Sequence, residues 1–126
     1  AREALSGLDP ALRDAAYGQL KTAFSAWMRY FVAYDPRPAL AKVKCPVLAV
    51  NGEKDLQVSA RQNLPEIGKA LRDGGNRDFR TVELPGLNHM LQTCKTGSVA
   101  EYSQIEETMA PAALELISGW ILERSR

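Results

Sequence analysis

The sequence predicts an α/β fold built on neighbouring parallel strands. Two short apolar runs, Pro46 to Asn51 and Phe79 to Leu84, each end in a turn that carries an ionisable side chain. The first run is apolar without alternation, the habit of a parallel strand covered by helices on both faces. One helical segment separates the runs and another follows, so the order is strand, helix, strand, helix. A right-handed crossover then makes the two strands parallel neighbours.

Taken in chain order, Asp9-Pro10-Ala11-Leu12 opens the first helix, with Asp accepting at the N-cap and Pro pre-set at the first helical position. Leu12, Ala16, Leu20 and Ala23 fall on one side, and the pattern restarts near Ser25 with Trp27, Met28, Phe31 and Val32 at helical spacing. Two helices are therefore expected, about 10 to 22 and 26 to 34. The second is aromatic, with Trp27, Tyr30, Phe31 and Tyr34; Trp27 and Phe31 are expected to fill core between helix and sheet. Asp35-Pro36-Arg37-Pro38 stops the helix, because a residue before proline is pushed out of the helical region. Residues 1–35 thus form a helical segment, and residues 36–126 form the α/β part.

A short turn through Leu40 leads to the first strand, which Gly52 breaks. Ser59 and Gln62 have the spacing of a capping box, in which each side chain satisfies the other's free backbone donor. The helix after it carries Leu64, Ile67, Ala70 and Leu71 inward and ends at Gly74-Gly75, where a left-handed residue closes it. Phe79 to Leu84 is the second strand, turned by Pro85-Gly86. A long loop follows, from about Gln92 to Met109, and then Ala110-Pro111 starts the last helix with a stripe of Leu114, Ile117, Trp120 and Ile121. Two strands do not make a stable sheet. Other strands are expected to border the Pro46 to Asn51 edge, and this chain does not contain them.

Composition sets the broad class. At 126 residues, 45% hydrophobic and 25% charged, the chain has the make-up of one modest globular domain. Lys plus Arg 16 against Asp plus Glu 15 leaves a net charge of +1, and there is no basic run, so nucleic acid is not an expected partner. Apolar runs reach only about five residues, far below the ~20 of a membrane-crossing helix, so no membrane role is expected. The N-terminus, Ala-Arg-Glu-Ala-Leu, has neither an initiator Met nor a signal-peptide pattern. That start predicts a piece of a longer chain and leaves the compartment open. Cys45 would enter one strand while Cys94 follows the far end of its neighbour, roughly 20 Å away for a six-residue strand. A disulfide spans only about 7 Å between Cα atoms, so free thiols are expected.

The chemistry lies in the loops after the strands, where parallel α/β sheets gather their functional groups. Asp55 follows the first strand and His89 the second, on neighbours roughly 5 Å apart. A carboxylate there can accept the His Nδ1–H, fix the tautomer and stabilise the imidazolium that forms when the ring takes a proton from a nucleophile. Other roles stay open on the same residues: Asp55 as a turn-former or helix N-cap, His89 as an ordinary hydrogen-bonded loop residue, and Glu53 as an acid in the same loop. One His and two separated Cys offer no spaced ligand set, so neither a metal nor any other cofactor is expected.

Pro46-Val-Leu-Ala-Val-Asn-Gly-Glu-Lys-Asp55 followed by Glu83-Leu-Pro-Gly-Leu-Asn-His89 resembles the closing segment of the α/β-hydrolase superfamily, its seventh and eighth strands. The family pattern of strand, G-x-x-D, helix, strand, G-x-x-H reads here as Gly52-Glu-Lys-Asp55 and Gly86-Leu-Asn-His89. The likeness runs from about Tyr34 to the C-terminus. It implies that Asp55 is the acid and His89 the base of a catalytic triad, and that the helices before the sheet act as a lid or as packing. The family's nucleophilic Ser stands earlier, on a G-x-S-x-G elbow. None of Ser6, Ser25, Ser59, Ser98, Ser103, Ser118 and Ser125 has that frame.

The expected function is the C-terminal part of a serine hydrolase that cleaves an ester, thioester or peptide-like acyl bond of a small substrate, inactive on its own. A non-catalytic hydrolase-like module for binding or assembly is the alternative. A small flavodoxin-like or response-regulator-like domain shares the strand-helix rhythm but lacks an early acidic or phosphate-binding loop. An open strand edge and bare helix faces lead us to expect self-association of the chain.

Overall fold

A computed structural model describes residues 9–125, and the chain divides into two compact units, 1–35 and 36–126. Ser6 lies outside the described residues. The first unit holds α1 (Pro10–Ala23) and α2 (Ala26–Ala33). Asp9 caps α1, its Oδ1 accepting the Ala11 N–H at 2.9 Å, and Ser25 caps α2 by accepting the Met28 N–H at 3.1 Å. The two caps divide what the apolar spacing alone leaves nearly continuous.

Neither α1 nor α2 buries a residue. Leu12, Leu20, Trp27 and Phe31 are exposed, so within this unit Trp27 and Phe31 fill no core. These rings cover each other instead: Trp27 stacks on Phe31 with centroids 5.2 Å apart, and Tyr30 lies 5.5 Å from Tyr34. Spacing of four residues sets such pairs on one face of a helix whether or not anything lies opposite.

The second unit is mixed helix and parallel strand. Its elements are α3 (Arg37–Leu40), β1 (Val47–Gly52), α4 (Ala60–Asp73), β2 (Phe79–Leu84) and α5 (Pro111–Arg124). The turn expected near Leu40 is thus a single helical turn, tied to α4 by Arg37 and Glu66 at 3.4 Å. β1 and β2 pair in parallel, from Val47 opposite Phe79 to Gly52 opposite Leu84. They form a two-stranded sheet, so each strand is an edge. Val47 to Asn51 are only half-buried, where the apolar run predicted cover on both faces.

Among the described residues α4 is the one helix that buries a full stripe: Ala60, Leu64, Gly68, Ala70 and Leu71. Burying each of its two leucines contributes about 1.5–3 kcal/mol. Ser59 occupies the N-cap position, but its hydroxyl makes no capping bond, so the expected box with Gln62 does not form. The helix ends as the two glycines predict. The Gly75 and Asn76 N–H groups reach back to the Arg72 and Leu71 carbonyls, with Gly75 at φ +82°. Asn76 then donates to the Val43 and Cys45 carbonyls and accepts from the Asp78 N–H, stapling the chain entering β1 to the chain entering β2.

On α5 the packed line is Ala110, Ala113, Ile117 and Trp120, whereas Leu114 and Ile121 of the expected stripe are exposed together with Leu122. Arg124 lies over the Trp120 ring at 4.2 Å and pairs with Asp78 at 2.6 Å, joining the end of α5 to the start of β2. The loop between β2 and α5 contains a 3-10 helix, Val99–Gln104. Among the described residues no helix is long and apolar enough to cross a membrane.

One close approach joins the two strand ends. A Cβ on Gly52 would sit 2.3 Å from the Leu87 carbonyl oxygen and 2.5 Å from that of Asn88, both backbone atoms that cannot swing away. Gly52→Ala should therefore cost about 1–3 kcal/mol, as overpacking does elsewhere. A urea midpoint equal to that of the parent chain would show that the loops yield more easily than this contact implies.

Candidate active site

Past the strand ends the parallel ladder continues into the loops. The Glu53 N–H donates to the Leu84 carbonyl and the Lys54 N–H to the Leu87 carbonyl, both at 2.9 Å. These bonds carry the loop after β1 alongside the loop after β2. Asp55 and His89 meet as a result, with Nδ1 of the ring 2.9 Å from Asp55 Oδ2.

Asp55 is buried and its carboxylate is fully engaged. Oδ1 accepts the Gln57 N–H at 2.9 Å and the Val58 N–H at 2.8 Å. Oδ2 accepts from Asn51 Nδ2 at 3.0 Å and from His89. Burial pushes the carboxyl up, but the Val58 N–H, the His89 bond and the Gln57 N–H together outweigh it and hold Asp55 below its ordinary value of 3.8. The turn-forming role and the histidine-orienting role are both filled, one on each oxygen. Glu53 is aimed elsewhere: its Oε2 accepts the Gly86 N–H at 2.8 Å and braces the turn that leads to His89.

His89 stands in a loop built around Asn88. The Asn88 side chain is completely buried; its Oδ1 accepts the N–H groups of Met90 and Gln92, and its Nδ2 donates to Gln92 Oε1 at 3.1 Å. Leu91 adopts φ +57°, a left-handed angle that costs a leucine about 1–2 kcal/mol. That conformation is held by the Leu91 N–H to the Asn88 carbonyl and by the Ala110 N–H to the Leu91 carbonyl. Leu91 packs against Leu87, Ala110 and Ala113, the small core beneath the loop.

The His89 side chain is 37% exposed, while that of Asp55 is 3% exposed. Solvent therefore reaches the pair through the histidine and hardly at all through the aspartate. With Nδ1–H donated to Asp55, Nε2 carries the lone pair in the neutral ring, and it has no hydrogen-bond partner among the described residues. The pair can orient and stabilise an imidazolium and can take a proton at Nε2.

Several supports of this pair escaped the sequence reading: Asn51, Asn88, Gln92 and Tyr102, whose hydroxyl accepts from Gln57 Nε2 at 2.7 Å. Asn88 beside a loop histidine is the one signal available beforehand, since asparagine readily bonds its own following backbone. The segment after the histidine also closes on the acid loop. A Cβ on Gly97, at φ +80°, would meet the Lys54 carbonyl oxygen at 2.0 Å, and Lys54 Nζ donates to the carbonyls of Cys94 and Lys95. Cys45 and Cys94 are free thiols. Among the described residues no group of three His, Cys, Asp or Glu is placed to hold a metal ion.

Because folding depresses the Asp55 pKa, the carboxylate stabilises the native chain above the unfolded-state value of about 3.9, and this contribution is lost as pH falls through the native value. Asp55→Asn should flatten the acid limb of stability against pH, measured by urea unfolding between neutral pH and the onset of acid denaturation. Superimposable acid limbs for the two proteins would contradict the depressed carboxyl.

Comparison with protein-family models, with curated proteins and with solved structures returns no match for this chain. What it does must be read from the Asp55–His89 pair and its surroundings.

Proposed function

We propose that this chain supplies the acid and the base of a serine α/β-hydrolase that cleaves an ester, thioester or peptide-like acyl bond. The observation that carries the reading is the 2.9 Å contact of His89 Nδ1 with the buried Asp55 carboxyl group, leaving Nε2 of a part-exposed ring without a hydrogen-bond partner among the described residues. In that reading Nε2 removes the proton from a serine hydroxyl as it attacks the acyl carbon. Asp55 keeps its charge and stabilises the imidazolium, which then returns the proton to the leaving group. The lowered Asp55 pKa suits this task, since the acid must stay ionised beside the charged ring.

The nucleophile is assigned to another part of the polypeptide. No serine of the sequence stands in a G-x-S-x-G frame, and no described serine bonds Nε2. Ser25 and Ser98 cap helices, while Ser118 and Ser125 bond helix carbonyls. The two-edged sheet, the half-exposed β1 and the bare outer side of α5 fit a fold that further strands complete. The unbonded Nε2 equally fits a binding or assembly module that never receives a nucleophile.

Two measurements separate these readings. In the complete gene product, a fluorophosphonate should label a serine, and His89→Ala should lower kcat/KM for a p-nitrophenyl ester by about 10⁶-fold, leaving only the residual catalysis of binding and the oxyanion hole. Failure of the complete protein to label favours the binding module. Ester turnover by the 126-residue chain itself, abolished by His89→Ala, would overturn the division of the triad.

The open strand edges also make the isolated chain self-associate, in a dimer that continues the sheet across β1. Sedimentation velocity at high concentration should show it, and a single monomeric boundary would count against it.

A further inference from the structure

We infer that Asn51 is a positioning residue for the Asp55–His89 pair, with a catalytic consequence that rests on the hydrolase reading. Four hydrogen bonds reach the Asp55 carboxylate. Two come from the N–H groups of its own turn, Gln57 and Val58, and move with that turn. One comes from His89, the group to be oriented. The fourth comes from Asn51, which sits in β1 opposite Glu83 of β2. Among the described residues Asn51 is therefore the carboxylate's one direct hydrogen-bonded tie to the sheet.

The chemistry of its neighbours fixes how the amide points. Nδ2 lies 3.0 Å from Asp55 Oδ2 and 2.9 Å from the Val58 carbonyl oxygen, both acceptors only. The NH₂ end must face them, and each of its protons is used. One proton holds the oxygen that receives the histidine N–H; the other ties down the residue that closes the Asp55 turn. A strand residue thus sets both the carboxylate's rotation and the turn beneath it. Groups on strands hold such geometry more tightly than groups on loops.

The chain contains a single histidine, so the ring signals of His89 are unambiguous in NMR. In the 126-residue chain the Nδ1–H proton should exchange slowly with solvent. In Asn51→Ala, with the amide spectrum still dispersed, it should exchange about tenfold faster or more, the usual size of effect for a group that orients a functional one. Unchanged exchange in the folded variant overturns the inference. Should Asn51→Ala fail to fold, the parent chain decides: the Asn51 side-chain NH₂ protons must be protected, and exchange at the rate of an exposed amide overturns it.

In the complete hydrolase, Asn51→Ala should lower kcat by about 10–100-fold with KM unchanged, whereas a change in KM alone overturns the positioning role. A complete protein with no hydrolase activity would end the hydrolase reading, and the exchange rates would still decide the role of Asn51.

Discussion

The parallel register that sets Gly52 opposite Leu84 is the constraint on which the rest of the site depends. Asp55 lies three residues beyond one end of that pair and His89 five beyond the other, and neither loop could find its partner if the strands slipped. A slip of one residue would also turn every side chain of a strand to the opposite face. The register is held past the strands by the Glu53 N–H on Leu84 and the Lys54 N–H on Leu87. It is also held from the far end, where Asn76 joins the approaches to both strands. Gly52 allows these bonds to form, because a side chain there would occupy the space of the Leu87 and Asn88 carbonyls.

Electrostatics then divides the work within one carboxylate. An isolated buried Asp would resist ionisation, and a neutral carboxyl would orient a histidine poorly. Two turn N–H groups, the Asn51 amide and the imidazole N–H between them occupy both oxygens, so the charge is retained without exposure. The histidine is treated in the opposite way. Its loop backbone is held by the buried Asn88 and its ring by Asp55 at one nitrogen, while the other nitrogen has no hydrogen-bond partner among the described residues.

Much of the site's skeleton was legible in the sequence, because it follows from local rules. Apolar runs closed by Gly52 and by Pro85-Gly86 mark strand ends, and a helix of suitable length between them implies a parallel crossover that delivers Asp55 and His89 to one edge. Burial was less legible. Apolar residues at helical spacing show that a face is apolar but not what covers it, so Trp27 and Phe31 stack on each other in the open and α5 packs through Ala113 and Trp120 rather than Leu114. The Ser59 capping box failed for a similar reason: the spacing permits the bond, but the serine hydroxyl is not used. Asn51 was hidden most completely. Its role depends on the turn that Asp55 makes with Gln57 and Val58, and no pairwise spacing in the sequence encodes that turn.

The contrast between a well-tied site and thinly covered elements has a physical source. Every bond that joins Asp55 to His89 lies within the two strand ends and their loops, whose N–H and C=O groups satisfy one another over short distances. Covering β1 on both faces, or the outer side of α5, requires apolar area that two strands and a few helices do not possess. Hydrogen-bonded geometry of this kind survives with few neighbours, because its partners are near in space and specific in direction. Hydrophobic burial does not, because it scales with area. A sheet with two open edges can therefore hold an acid and a base at 2.9 Å while leaving Val47 to Asn51 half-covered. In the proposed hydrolase, the strands that complete the burial would be the same ones that bring the nucleophile to Nε2, so stability and catalysis would be gained in one step.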